Sequence, residues 1–169
     1  MGTIDYKIID NFLSLEDFNN IKNILSSKDF PWFYNKDGVS YSNKFDGIYF
    51  SSILYKQQED GVSFNISNYY YILIPLLKLI KPKSLLRVKA NLYPRTERIF
   101  EHGKHIDYDF SHKSFLFYIN TNNGVTILKN GTKINSVENR GLFFDSSELH
   151  QSTTCSDQEA RININFNYF

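Results

Sequence analysis

The sequence predicts a mainly β domain with supporting helices, an α+β arrangement. Its strands form a sandwich or barrel, and a jelly roll is compatible. Three observations carry this. From Leu85 the apolar period is two: Leu86, Val88, Ala90 and Leu92 alternate with Arg87, Lys89, Asn91 and Tyr93, the pattern of a strand with one buried face. Turn signals at Asn122-Asn123-Gly124 and Asn130-Gly131 punctuate short strands, as in all-β sandwiches and barrels. Helical periodicity is confined to the first half.

Taken in order, Ser14 caps a helix through about Ser26, with Asp17 three residues on in a near capping box. Leu15, Phe18, Ile21 and Leu25 recur at helical spacing. Residues 30–60, rich in aromatics, Gly and Ser, read as loops with short strands. A second helix is expected from Ser67 to Lys81, with Pro75 either kinking it or marking its first turn. Strands follow at Leu85 onward, Ser114–Asn120, Gly141–Phe144, Glu148–Gln151 and Ala160–Tyr168. On the last strand Arg161, Asn163, Asn165 and Asn167 share one face, and Ile162, Ile164, Phe166 and Tyr168 the other. Arg161 is therefore expected to point into a wet cavity.

The chain's 169 residues suit one domain with a sizeable core. Residues 1–84 are expected to form helical and loop support with a candidate lid, and 85–169 the jelly-roll core. A net charge of +1 argues against a dedicated nucleic-acid binder. The single cysteine, Cys155, cannot form an intrachain disulfide and points to a reducing, cytoplasmic setting. It reads as an ordinary packed residue rather than a nucleophile. Met1 to Asp5 lacks the basic and apolar regions of a signal peptide. Ile72–Ile80, the most apolar stretch, is too short to span a bilayer, so no membrane partner is expected.

The chemistry concentrates in His105-Ile106-Asp107, His150 and Arg161. Residues i and i+2 of a strand share a face, so His105 and Asp107 project together. With His150 from a neighbouring strand they make a 2-His-1-carboxylate set, which leaves positions open on Fe(II). Arg161 adds a rigid fork suited to a carboxylate. Metal ligands and an anion clamp together point to an oxygenase. An isolated His-x-Asp says little; the ordered combination carries the argument.

That ordered set resembles the Fe(II)/2-oxoglutarate-dependent dioxygenases, most closely the prolyl-4-hydroxylase-like branch with its small bacterial and phage forms. Arg87–Pro94 looks like that branch's strand before the first ligand. Ser114–Gly124 looks like its central strand and turn, and Ser136–His150 like the approach to its distal histidine. The resemblance covers about residues 85–169, with weaker similarity around Phe30–Tyr34. It implies a double-stranded β-helix, the cupin-like jelly roll. It implies iron on His105, Asp107 and His150, and the far carboxylate of 2-oxoglutarate on Arg161, a place held by lysine in many animal prolyl hydroxylases. Tyr93 is similar to the tyrosine that hydrogen-bonds that carboxylate, and Tyr118 is a second candidate. There are departures. The usual paired glycines after the central strand are here Asn123-Gly124. The Arg161–Asn165 run is also similar to the nucleic-acid demethylase branch, but that branch has a second arginine where Asn167 stands.

The resemblance implies hydroxylation of a C–H bond, with O2 as oxidant, 2-oxoglutarate as cosubstrate and ascorbate as a candidate further cofactor. A prolyl residue of a peptide or protein is the expected substrate. The alternatives are a free amino acid, a small metabolite or a nucleobase, or a non-catalytic cupin-like metal-binding module. A phage-encoded form would work in its host's cytoplasm. Among the other polar residues, His102 reads as a loop histidine or a support to the ligands, and His112 as solvated. Asp109 would bond local backbone or substrate. Asn139 and Arg140 read as turn and surface residues. Trp32, Phe33 and Tyr34 read as core, with a lid as the alternative.

Overall fold

The computed structural model describes residues 6–35 and 48–169. Helix α1 (Leu15–Leu25) starts where its cap dictates. The Ser14 hydroxyl accepts from Asp17 N at 3.2 Å and donates to the Asp17 carboxylate at 2.9 Å, which satisfies a backbone donor that no helical carbonyl can reach. The second helical segment is divided. A 3₁₀ turn, Tyr70–Leu73, leads into α2 (Ile74–Ile80), and Pro75 lies in the first turn of α2. There its missing N–H removes no helical bond, so Pro75 starts a helix rather than kinking one.

The strands are β1 (Lys7–Ile9), β2 (Phe33–Asn35), β3 (Tyr49–Gln57), β4 (Phe64–Ile66), β5 (Leu85–Pro94), β6 (Lys113–Tyr118), β7 (Val125–Ile127), β8 (Lys133–Asn135), β9 (Arg140–Phe144), β10 (Gln151–Ser152) and β11 (Ala160–Tyr168). The large sheet runs β1-β9-β6-β11-β5-β3-β2, with β4 beside β3. The small sheet runs β10-β7-β8, and Gly131, at φ 85°, takes the left-handed turn conformation between β7 and β8 that glycine adopts without strain. The expected strand at Glu148–Gln151 is shorter. His150 makes an isolated bridge to His105, and β10 begins only at Gln151.

Register decides what faces what. Across β11 and β5, Arg161 lies opposite Tyr93, Asn163 opposite Asn91, Asn165 opposite Lys89 and Asn167 opposite Arg87. The alternate face of the same strands is apolar. There Val88, Ala90, Ile164 and Phe166 join Phe115, Phe117 and the helix residues Phe18, Ile21, Leu25 and Leu76 in the main core. A smaller cluster of Leu116, Tyr118, Leu128, Ile134, Leu142 and Phe144 joins the two sheets. The large sheet is thus covered by helices on one face and by the small sheet on the other, as an amphipathic layer requires.

Two surface expectations are corrected. Asn139 does turn the chain (φ 56°), but it is buried, and its amide accepts from Leu13 N and donates to Leu13 O, both at 2.9 Å. An amide at this place serves both backbone groups of an entering segment. His112 is buried rather than solvated. Its Nδ1 bonds Phe110 O at 2.9 Å, and Nε2 contacts Ser146 Oγ at 2.8 Å and Asn167 Nδ2 at 3.1 Å. Phe33 and Tyr34 are exposed on β2, whereas Trp32 packs against the core and donates to Leu25 O at 3.2 Å. Residues 36–47 of the expected lid region lie outside the described residues, as do residues 1–5. No helix among those described is long and apolar enough to cross a membrane.

Candidate active site

The polar faces of β5 and β11 and the near edge of the small sheet enclose a cavity of about 240 Å³. At one end stand His105, Asp107 and His150, whose ligand atoms all lie within 4.8 Å of one another. The two histidines are clipped together by a pair of backbone bonds, His105 N to His150 O at 2.9 Å and His150 N to His105 O at 3.0 Å. Each Nδ1 meets a main-chain carbonyl: Gly103 O at 3.2 Å for His105 and Glu148 O at 3.0 Å for His150. A carbonyl only accepts, so each Nδ1 carries the proton and each Nε2 keeps its lone pair, the tautomer a metal ligand needs. Burial lowers the His150 pKa, against the opposing pull of the Asp107 charge, which favours the neutral ring.

Asp107 is held from three sides. Arg87 Nη2 donates to Oδ1 at 3.0 Å, and Asn165 and Asn167 each donate to Oδ2 at 2.9 Å. Burial alone would raise this carboxyl; Arg87, His150 and the two amides outweigh it and hold the pKa well below the usual carboxylate range. A carboxylate offers about four lone-pair directions. Three are filled, and one is left. Two imidazole Nε2 atoms and one fixed carboxylate direction fit a divalent ion such as iron.

Arg161 stands at the other end, fully buried. Its Nε donates to Ser136 Oγ at 2.8 Å, Nη1 to Thr153 O at 3.3 Å and Nη2 to Thr126 Oγ1 at 2.9 Å. All three acceptors are neutral, and no carboxylate among the described residues forms an ion pair with it. A guanidinium has five donors and these bonds use three, so the group keeps donor capacity that a carboxylate could fill. The Tyr93 and Tyr118 rings lie 5.5 and 5.8 Å from the guanidinium carbon. Tyr93 lines the cavity, and burial pushes its phenol pKa up. Tyr118 stands behind Arg161, with its hydroxyl donated to Thr126 Oγ1 at 2.8 Å. In the Asn123-Gly124 turn the glycine is the residue that admits no side chain. A Cβ there would meet both Arg161 Cδ and Thr154 O at 2.7 Å.

His102 lies outside the trio. It is buried, 5.1 Å from the Tyr93 ring, with Nδ1 2.8 Å from Ser152 Oγ. Asp109 is exposed. The sequence reading missed Arg87, Asn165 and Asn167 as holders of Asp107. Its one available signal was the second-arginine comparison. Asn167 occupies that place, and Arg87, opposite it on the next strand, supplies the guanidinium.

No family model matches the sequence, and no curated protein does. Solved structures do match. The viral collagen prolyl hydroxylase of Paramecium Bursaria Chlorella virus-1, in its 2OG complex, superposes with a TM-score of 0.65 at 15% identity over 98% of both chains. A Trichoplax adhaerens prolyl hydroxylase, solved with a hypoxia inducible factor peptide fragment, gives 0.64 at 16% identity over 99% of this chain and 84% of that one. A 2OG-Fe(II) oxygenase family oxidoreductase of Burkholderia pseudomallei gives 0.70 at 10% identity over 96% and 84%. The chain has the jelly-roll fold of the 2-oxoglutarate oxygenases.

Proposed function

We propose that this chain is an Fe(II)- and 2-oxoglutarate-dependent dioxygenase that hydroxylates a C–H bond. The observation that carries the reading is the shape of one cavity, with a two-histidine, one-carboxylate cluster at one end and, at the other, a buried arginine with no carboxylate partner among the described residues. His105, Asp107 and His150 hold the iron. Arg161 takes the far carboxylate of 2-oxoglutarate, with Tyr93 beside it. Iron and 2-oxoglutarate together supply the oxidising chemistry, with O2 as oxidant. The protein's own part is orientation. The backbone clip and the two Nδ1 bonds fix both imidazoles, and Arg87, Asn165 and Asn167 fix the carboxylate, so the three residues that would hold the metal are kept in place at the cavity. Ascorbate is a candidate for restoring the iron.

Two of the structural neighbours are prolyl hydroxylases, which makes a prolyl residue of a peptide or protein the first substrate to test. A free amino acid or small metabolite is the second reading, and a charge inside the cavity favours it. The lone cysteine, Cys155, is buried, in keeping with a reducing compartment such as the cytoplasm. A cupin-like binding module would have no use for Arg161. The test is an anaerobic titration of Fe(II) and 2-oxoglutarate, followed by succinate measurement in air against peptide and amino-acid panels. A charge-transfer band that saturates with 2-oxoglutarate is expected. Metal binding with no 2-oxoglutarate binding would leave only the binding module.

A further inference from the structure

Resting on that reading, we propose that the substrate is a small acid whose carboxylate is received by Lys89, so that Lys89 sets the enzyme's preference for a free acid over an internal residue of a peptide chain. Lys89 lies on the polar face of β5, between Arg87 at the metal end and Asn91, and it lines the cavity. It is partly buried, and no carboxylate among the described residues pairs with it. Among the described residues Tyr49 is its aromatic contact, with Nζ 5.7 Å from the ring centre, an attraction that leaves the charge unneutralised. A cation held this way is costly unless something compensates it. Burial and the Arg87 charge bring the lysine down to about 8, against the pull of the Asp107 charge.

The charges of the filled site point the same way. Arg161 cancels the far carboxylate of 2-oxoglutarate. Asp107 and the oxo-acid carboxylate cancel the two charges of Fe(II). The charges of Arg87 and Lys89 are then both left over; Arg87 is held by its hydrogen bond to Asp107, and Lys89 makes no ion pair among the described residues. The neutral groups nearby suit a small polar ligand. Asn165 lies opposite Lys89, and its Nδ2 must face Asp107 because a carboxylate only accepts. Its Oδ1 is therefore turned away from Asp107, buried and without a partner, as is Asn91 Oδ1. Those acceptors would take N–H donors, such as the ammonium of an amino acid. The cavity's 240 Å³ is below the roughly 300–1,000 Å³ of drug-sized sites, so the part of the substrate that enters beside the cosubstrate is small. An internal prolyl residue would bring no negative charge to Lys89.

The test uses protein loaded with Mn(II) and saturating 2-oxoglutarate, at fixed ionic strength. Acetate, L-proline, N-acetyl-L-proline and N-acetyl-L-prolinamide are titrated by calorimetry and by thermal shift; the last two differ only in the charge of one group. We expect saturable binding of the carboxylates and none of the amide. Tighter binding of L-proline than of acetate would identify an amino acid, and equal binding a simple acid. Lys89→Met should weaken carboxylate binding about tenfold or more, and Lys89→Arg should retain it. Lys89→Gln replaces the methionine variant if that one fails to fold. Three results would overturn the proposal: no saturable carboxylate binding to the loaded wild type, equal binding of the matched amide, or unchanged carboxylate binding without Lys89. A tenfold loss of 2-oxoglutarate affinity in Lys89→Met would also overturn it, by moving Lys89 to the cosubstrate. Failure of 2-oxoglutarate to bind at all would instead strike the dioxygenase reading.

Discussion

Arg161 and Arg87 lie on adjacent strands and face one cavity, yet the chain gives them different company. Arg87 meets a carboxylate, Asp107, at 3.0 Å. Arg161, more deeply buried, donates to a serine, a threonine and a main-chain carbonyl and lies against two tyrosine rings, all of them neutral. Neutral acceptors hold a guanidinium in place but do not neutralise it. A buried cation solvated only by dipoles is poised for an anion that arrives from outside. A cation already paired with a carboxylate acts on that carboxylate instead, by fixing its direction and keeping it ionised. One arginine thus reads as a receptor and the other as a support.

The largest effects should come from the end that Arg87 supports. Altering a residue that merely orients a metal ligand typically costs 10–100-fold in affinity, so His105→Ala and His150→Ala should lower Mn(II) or Fe(II) affinity by more than about a hundredfold. Both should leave the apo fold near wild type. Asp107→Ala should lose metal and also destabilise the apo protein, by about 3–5 kcal/mol, because Arg87 is left buried without its partner. Denaturant unfolding of the apo variants separates the two cases. Equal stability of Asp107→Ala and His150→Ala would mean that the Arg87 pair contributes nothing to folding.

Arg161 should show the opposite pattern. Arg161→Ala removes the guanidinium at the far end, and 2-oxoglutarate affinity should fall by an amount equivalent to about 2–5 kcal/mol. Arg161→Lys keeps the charge and loses the fork, so it should fall between. Metal affinity should stay put in both, read by titration of the apo protein. Next in size is Gly124→Ala, where the added methyl would sit 2.7 Å from Arg161 Cδ and from Thr154 O. Overpacking of this kind costs typically 1–3 kcal/mol. It should lower the melting temperature and weaken 2-oxoglutarate binding together, since the clamp itself must move.

Much of this was legible in the chain. The alternation at Leu86–Tyr93 and Arg161–Tyr168 marked two strands with polar and apolar faces, because a pleated strand separates its neighbours by face. That His105, Asp107, His150 and Arg161 belong to one site could be proposed because such a set depends on residue type and order, and the structure brings them to one cavity. What could not be read depended on register. Nothing local pairs Arg87 with Asn167, or aims both at a carboxylate twenty residues beyond Arg87; only the β5–β11 ladder does so. His112 and Asn139 failed for the same reason. Each looked like a polar loop residue, and each is buried by a contact with distant chain, Ser146 and Asn167 in one case and Leu13 in the other. Glu148–Gln151 came out too long because His150 pairs by a single bridge that periodicity cannot resolve.

A third arginine calibrates the first two. Arg140 makes a forked contact with Asp10, Nε to Oδ1 at 2.6 Å and Nη2 to Oδ2 at 2.9 Å, and so ties the turn after β1 to the start of β9. The geometry is as good as any in the cavity, but the Asp10 side chain is 53% exposed. Water screens such a pair, and exposed pairs contribute about 0.2–1 kcal/mol. Asp10→Asn should therefore cost less than about 1 kcal/mol, a small shift beside those at Asp107 and Arg161. Its pH dependence follows from the hydrogen bond to Arg140, which, with the arginine's charge and against slight desolvation, lowers the Asp10 pKa in the folded state. A lowered folded pKa means that the unfolded chain binds the proton more readily. The contribution is then complete above the unfolded carboxylate value of about 3.9 and fades as pH falls through the folded one. The difference in melting temperature between wild type and Asp10→Asn should be constant from neutral pH to about pH 5 and close below about pH 4. A difference that survives in acid would assign the effect to the neutral hydrogen bonds rather than to charge. The forks of Arg87 and Arg161 would then have to be discounted in the same proportion.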